Sequence, residues 1–183
     1  MIVINLFGGP SSGKSTTAAY VFSKLKTLGI SCEYINEYAK DCVYEGRETI
    51  VKNDQLYILA KQNHKLKMLE LSKQARCVVV DSPLLLSNIY GRLHNSITDN
   101  FENFTIELFN SYHNINFFMK RKNGYFEAEG RFQKNIDEAI KIDNQIYNYL
   151  IEKNISFEYI NGIDDFPFDN IINELIVEKE NGW

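Results

Sequence analysis

Eight consecutive residues, Gly8-Gly9-Pro10-Ser11-Ser12-Gly13-Lys14-Ser15, satisfy the pattern G-x-x-x-x-G-K-[ST] in full. Glycines let a backbone wrap a phosphate chain closely, with successive N–H groups turned inward at a helix N-terminus. A lysine at the position of Lys14 reaches the β- and γ-phosphates, and a hydroxyl at Ser15 suits Mg²⁺. The candidate nucleotide-binding residues are therefore Gly8, Pro10, Ser11, Ser12, Gly13, Lys14, Ser15 and Thr16. ATP with Mg²⁺ is the expected occupant, since no N/TKxD-type guanine-reading motif follows.

Two carboxylates complete a phosphoryl-transfer constellation. Asp81 ends the apolar run Cys77–Val80, where a Walker B acid would share the metal with Ser15 at the carboxyl end of a sheet. Glu37 closes the second expected strand, Ser31–Asn36, and could take the proton of an attacking hydroxyl. Each has a plainer alternative. Asp81 could cap a helix opened by Ser82 and Pro83, and Glu37 could be an exposed acid at a helix start. The segment Arg121–Gln133 holds Gly124, Gly130, Lys122 and two arginines, Arg121 and Arg131. Phosphoryl transfer works through positioning and charge neutralisation, so a closing lid over about residues 121–133 would bring these cations onto the phosphates. A solvated, charged turn is the alternative there. Around an acceptor, Glu37, Tyr38, Arg47 and either Tyr90 or Arg92 are the expected lining, with tyrosine rings to stack on a base.

The elements that must position these groups alternate along the chain. Ile2–Phe7 reads as a strand buried on both faces, followed by the glycine-rich loop and a helix through Ala18, Val21, Phe22, Leu25 and Leu28 that stops at Gly29. Further strands are expected at Ser31–Asn36, Arg76–Asp81, Ile115–Lys120 and Ser156–Ile160. A long helix over about Val51–Gln74, another through Ala139, Ile142, Ile146 and Tyr149, and a last one through Ile171–Ile176 separate them. Strands separated by helices imply right-handed crossovers and a parallel α/β sheet covered on both faces. Glu178–Trp183 reads as a frayed tail.

Composition narrows the function classes. The 183 residues suit one domain over residues 1–183, and 44% hydrophobic with 24% charged residues excludes a disordered or fibrous chain. A net charge of −4 argues against general, charge-driven nucleic-acid binding, although a local basic cleft would escape that argument. Cys32, Cys42 and Cys77 form no C-x-x-C pair, and three scattered histidines show no metal-ligand spacing, so reduced thiols are expected. No apolar run approaches the ~20 residues that span a bilayer, and no signal segment opens the chain. These readings predict a cytoplasmic protein with no membrane partner.

With these residues in place, the chain resembles small P-loop kinases of the nucleoside/nucleotide kinase group. The nearest resemblance is to phage-encoded P-loop kinases under the AAA label, related to nicotinamide-riboside kinase domains. It is carried by Gly8–Thr16, Glu37-Tyr38-Ala39-Lys40-Asp41, Glu45-Gly46-Arg47, Asp81-Ser82-Pro83-Leu84 and Gly130-Arg131-Phe132-Gln133, over about Ile2 to Ile160. The resemblance implies a P-loop fold with a five-stranded parallel sheet in 2-3-1-4-5 order, a small lid and ATP-dependent phosphorylation. It places Glu37 and Asp81 beside the acceptor hydroxyl and metal, and makes Arg121 and Arg131 lid cations. Asp81-Ser82-Pro83 departs from the Asp-x-Asp of the riboside kinases, which leaves the acceptor open. A true AAA+ motor is not expected, for want of a helical lid domain and of a sensor or arginine-finger segment. The leading expectation is a kinase of a small nucleoside or nucleotide. A kinase of nucleic acid (a strand end, or 5-hydroxymethyluracil in phage DNA) and an ATP-binding switch with slow hydrolysis are the alternatives.

Overall fold

The computed structural model describes residues 1–121 and 135–180. Strand β1 (Ile2–Phe7) is buried at every position, as its uninterrupted apolar sequence requires. It pairs in parallel with β3 (Cys77–Val80) on one side and β4 (His113–Met119) on the other. Strand β2 (Cys32–Ile35) adds to β3, and β5 (Glu158–Ile160) adds to β4. The sheet is thus all parallel in the order β2-β3-β1-β4-β5, the expected one.

Alternation along β1 divides the core in two. Ile2, Ile4 and Leu6 pack on the face that receives α1 (Lys14–Thr27) and α8 (Phe168–Glu180). Val3 and Phe7 pack on the other face, against α4 (Gln55–Ser72), α5 (Leu86–His94), α6 (Asp99–Asn110) and α7 (Ile136–Glu152). Asn5 lies on the second face, and its amide donates to Asn114 and Asn116 at 2.9 and 3.0 Å. Those bonds satisfy a polar side chain that burial would otherwise penalise.

The long helix expected over Val51–Gln74 is two helices, α3 (Glu48–Asn53) and α4. The chain breaks at Asp54, whose carboxylate accepts from the Tyr57 N–H at 3.0 Å and so caps α4. Two helices, α5 and α6, were not expected from the sequence, and α2 (Tyr38–Tyr44) is the helix that stood only as the alternative reading of Glu37. In α5 and α6 the buried face includes Ser87, Asn88, Glu102 and Thr105, so the inward stripe is interrupted by polar residues. The Asn88 Nδ2 donates to the Glu102 carbonyl and the Tyr149 hydroxyl, which offsets part of the cost of that burial, while its Oδ1 has no partner among the described residues. Cys32, Cys42 and Cys77 are buried free thiols. Among the described residues no helix is long and apolar enough to cross a membrane.

Candidate active site

The glycine-rich loop joins β1 to α1 at the carboxyl end of the central strand, the place where open parallel sheets bind ligands. Gly8 and Gly13 take φ of +146° and +92°, conformations that a side chain would strain. Ser11 is also left-handed, at φ +60°, so one non-glycine residue of the loop is held in a costly conformation. The Lys14 ammonium folds back to the Gly9 carbonyl at 2.9 Å. Ser15 and Thr16 are exposed at the start of α1, and the buried Ser12 hydroxyl has no hydrogen-bond partner among the described residues.

Strands β2 and β3 are neighbours, so Glu37 and Asp81, just beyond their ends, are brought to the same side of the loop. Asp81 is 2% exposed and does not cap a helix, since α5 starts only at Leu86. One of its oxygens, Oδ2, accepts from the Tyr34 hydroxyl at 2.7 Å. The other, Oδ1, has no hydrogen-bond partner among the described residues. Burial, together with the adjacent Asp81 carboxylate, pushes the Tyr34 phenol well above its usual range, and the nearby Ser15 hydroxyl opposes the shift. Tyr34 therefore bonds the buried acid and lies near the loop serine. A hard cation wants oxygen ligands, and an orphaned carboxylate oxygen beside a loop hydroxyl fits Mg²⁺. Ser15 and Asp81 are the residues that would hold the metal, which supplies charge neutralisation at the phosphates when bound.

Glu37 occupies the N-cap position of α2, yet its side chain makes no cap hydrogen bond. It lines a cleft with Pro10 of the loop, Lys40, Gln62, Ser82 and Tyr90. Gln62, 2% exposed, donates to the Ser82 carbonyl at 3.1 Å, and its Oε1 has no partner among the described residues. His94 also lines the cleft, and burial with the nearby charge of Lys52 pushes its imidazole below the usual range. A second depression lies on the other side of the loop, between Ser12, Thr16, Met119 and the turn Asn161–Asp164 after β5. The phosphate loop thus separates two recesses.

Not every expected acceptor residue is in the cleft. Tyr38 turns outward, where its hydroxyl meets that of Tyr57 at 2.9 Å and receives Arg47 Nη2 at 3.4 Å. Arg47 also pairs with Glu45, so both residues belong to a surface cluster while Ala39, Lys40 and Val43 of α2 face the cleft. Arg92 needs a correction. It is bound to Glu102 and Glu152 and stacks over Tyr149, on the far side of α5. Positions 90 and 92 lie about 200° apart around a helix, so only Tyr90 reaches the cleft.

Arg121 lies just past β4, 9% exposed, with Nε on Asp143 at 2.7 Å and Nη2 on the Pro10 carbonyl at 2.7 Å. Arg131 and the rest of the expected lid lie outside the described residues. Tyr34, Gln62 and Asp143 were missed from the sequence. Gln62 and Asp143 sit on inward faces of apolar-striped helices, and such an inward polar residue is the one signal that could have exposed them.

Fold and site together define a P-loop nucleotide-binding protein of the nucleoside-kinase topology. The chain belongs to the AAA domain family AAA_28, whose model matches residues 3–164. Its fold resembles two structures of deoxyadenosine kinase from M. mycoides. One, with dCMP and a flexible dCDP bound, superposes with a TM-score of 0.56 at 19% identity, covering 99% of this chain and 100% of that one. The other, with dATP bound, gives 0.55 at 21% identity over 98% and 100%. The chain is also 33% identical over 91 residues to protein RecA of Wolbachia pipientis subsp. Culex pipiens (strain wPip). That match covers 46% of this chain and spans only 25% of the RecA protein.

Proposed function

We propose that this protein is an ATP-dependent phosphotransferase that moves the γ-phosphate to a hydroxyl or phosphate of a nucleoside- or nucleotide-type acceptor. One observation carries the reading. Six buried side-chain polar atoms lack a partner among the described residues, and four of them, on Ser12, Gln62, Asp81 and Arg121, surround the phosphate loop and its cleft. Buried polar groups are almost always paired, so such a cluster marks a place where a polar ligand completes the bonding. Ser12 and Arg121 adjoin the phosphates of a nucleotide on the loop, and Asp81 with Ser15 suits the metal. Glu37 faces the cleft at Pro10 and accepts the proton of an acceptor hydroxyl as it attacks. Gln62 Oε1 accepts from an N–H of the acceptor's base, and Tyr90 offers it an aromatic wall. The likeness of the fold to deoxyadenosine kinase supports the same class of acceptor, and dependence on ATP fits a cytoplasmic location.

The test is incubation with γ-labelled ATP and Mg²⁺ against pooled nucleosides, nucleotides and DNA containing 5-hydroxymethyluracil. Label is expected on a nucleoside or nucleotide, and Lys14→Ala is expected to abolish transfer with an unchanged melting temperature. Label on DNA alone would favour the nucleic-acid kinase. Label released only as inorganic phosphate, or near wild-type turnover by folded Lys14→Ala, overturns the proposal.

A further inference from the structure

Helix α7 reaches the phosphate loop through the Asp143 side chain. Asp143 Oδ1 accepts the Gly9 N–H at 2.6 Å, and Asp143 Oδ2 accepts Arg121 Nε at 2.7 Å. The contact is close enough to dictate the residue in the loop. A Cβ at Gly9 would stand 2.7 Å from Asp143 Oδ1 and 2.9 Å from the Ala139 carbonyl oxygen. Gly9 is thus glycine because α7 lies against it. The pair is also nearly enclosed, with Arg121 and Asp143 side chains 9% and 13% exposed.

A guanidinium is planar, so fixing two of its nitrogens fixes the third. Arg121 Nε is held by Asp143 and Nη2 by the Pro10 carbonyl, while Nη1 is buried without a partner among the described residues. Pro10 belongs both to the loop and to the cleft that holds Glu37. The remaining N–H groups therefore stand at the border between donor phosphates and acceptor. Without Asp143, the nearly enclosed Arg121 cation would have to remain at the Pro10 carbonyl with no compensating charge. With it, the cation is in place before any phosphate arrives and need not reorganise during transfer.

We propose that Asp143 is a positioning residue for phosphoryl transfer: it holds the Arg121 guanidinium and the Gly9 amide so that Arg121 Nη1 meets the phosphoryl group as it leaves ADP. This inference rests on the kinase reading and adds a residue to it. Its effect is confined to the transition state, because the ground-state phosphates are already held by the loop amides and Lys14.

The experiment compares binding of ADP with that of ADP–aluminium fluoride, both with Mg²⁺, by titration calorimetry, alongside the labelled-transfer assay. Asp143→Asn is nearly isosteric, and its amide oxygen can still accept from Gly9, but its NH₂ opposes Arg121 Nε. It is expected to lower the preference for ADP–aluminium fluoride over ADP, and the turnover number, by roughly 10-fold or more, with ADP affinity within about twofold of wild type. Arg121→Ala, which leaves the Gly9 bond intact, is expected to lose the same preference, and the double variant to lose no more than Arg121→Ala alone. Wild-type preference in Asp143→Asn, or additive losses in the double variant, overturns the role of Asp143 while leaving the kinase reading standing if the wild type transfers label. A wild-type protein with neither transfer nor preference for the analogue overturns both.

Discussion

Glu37 and Asp81 carry the same charge in different surroundings, and the proposed function divides the work between them on that ground. Asp81 is buried and bonded by Tyr34, whereas Glu37 is half-buried and faces the cleft beside Pro10. Asp81→Asn is therefore expected to weaken the Mg²⁺ dependence of ATP binding, measured as the shift in nucleotide affinity on adding EDTA. Glu37→Gln is expected to leave that affinity nearly intact and to lower turnover by roughly 10²–10⁴-fold, the usual range for a general base. Equal effects of the two substitutions on the metal titration would contradict the division. The positions of both acids were legible because each closes an expected strand, Asp81 after the apolar run Cys77–Val80 and Glu37 after Ser31–Asn36. Tyr34 was not, since nothing in Cys32–Ile35 distinguishes a tyrosine that packs from one that bonds an acid across the strand pair.

The cleft depends on the break between α3 and α4. Val51 and Gln55, on either side of Asp54, both line it, and a continuous helix would carry them in another direction. Asp54 enforces the break with φ −130° and ψ 64° and with its bond to the Tyr57 N–H. Asp54→Ala should cost about 1 kcal/mol by urea denaturation, the usual value of an N-cap. It should also raise the acceptor KM more than the ATP KM, because the loss falls on the cleft side of the loop. An unchanged denaturation midpoint would show that the cap contributes nothing. The polar run Lys52-Asn53-Asp54-Gln55 separates Val51 from the apolar stripe that starts at Leu56, and the reading that carried one helix across that run missed the point where capping chemistry makes two.

On the scale of the whole molecule, Arg92 has a structural task. With Glu102, Glu152 and Lys153 it ties α5, α6 and α7 together under the second core. Hydrogen bonds from Arg92 and Lys153 bring the Glu152 carboxyl down to about 2 from its ordinary 4.5. At Glu102 burial acts upward, but the same two cations outweigh it and hold the group below its usual range. Both carboxyls have lowered folded-state pKa values, so their contribution is complete above about 4.5 and is lost as pH falls toward about 2. Half-exposed pairs are screened, so the loss should be modest. Urea-denaturation stability is expected to fall over that window, and Arg92→Met, which keeps the packing on Tyr149, should flatten the fall. A pH profile identical in the two proteins would remove the network from the account of stability.

The phosphate loop, the strand-end carboxylates and the sheet order could all be reached from the sequence, because each depends on local spacing or on alternation between buried strands and helices. Gly8–Ser15 needs only eight adjacent residues to show the P-loop pattern. The partners of those residues could not be reached that way. Asp143 lies 134 residues from Gly9 and 22 from Arg121, and Tyr34 lies 47 residues from Asp81. Which side chains meet across such separations is fixed by the packing of α7 on the loop and of β2 on β3. The choice between Tyr90 and Arg92 is of the same kind. A two-residue difference on a helix reverses the direction of a side chain, and only the tertiary packing of α5 decides which of the two faces the cleft.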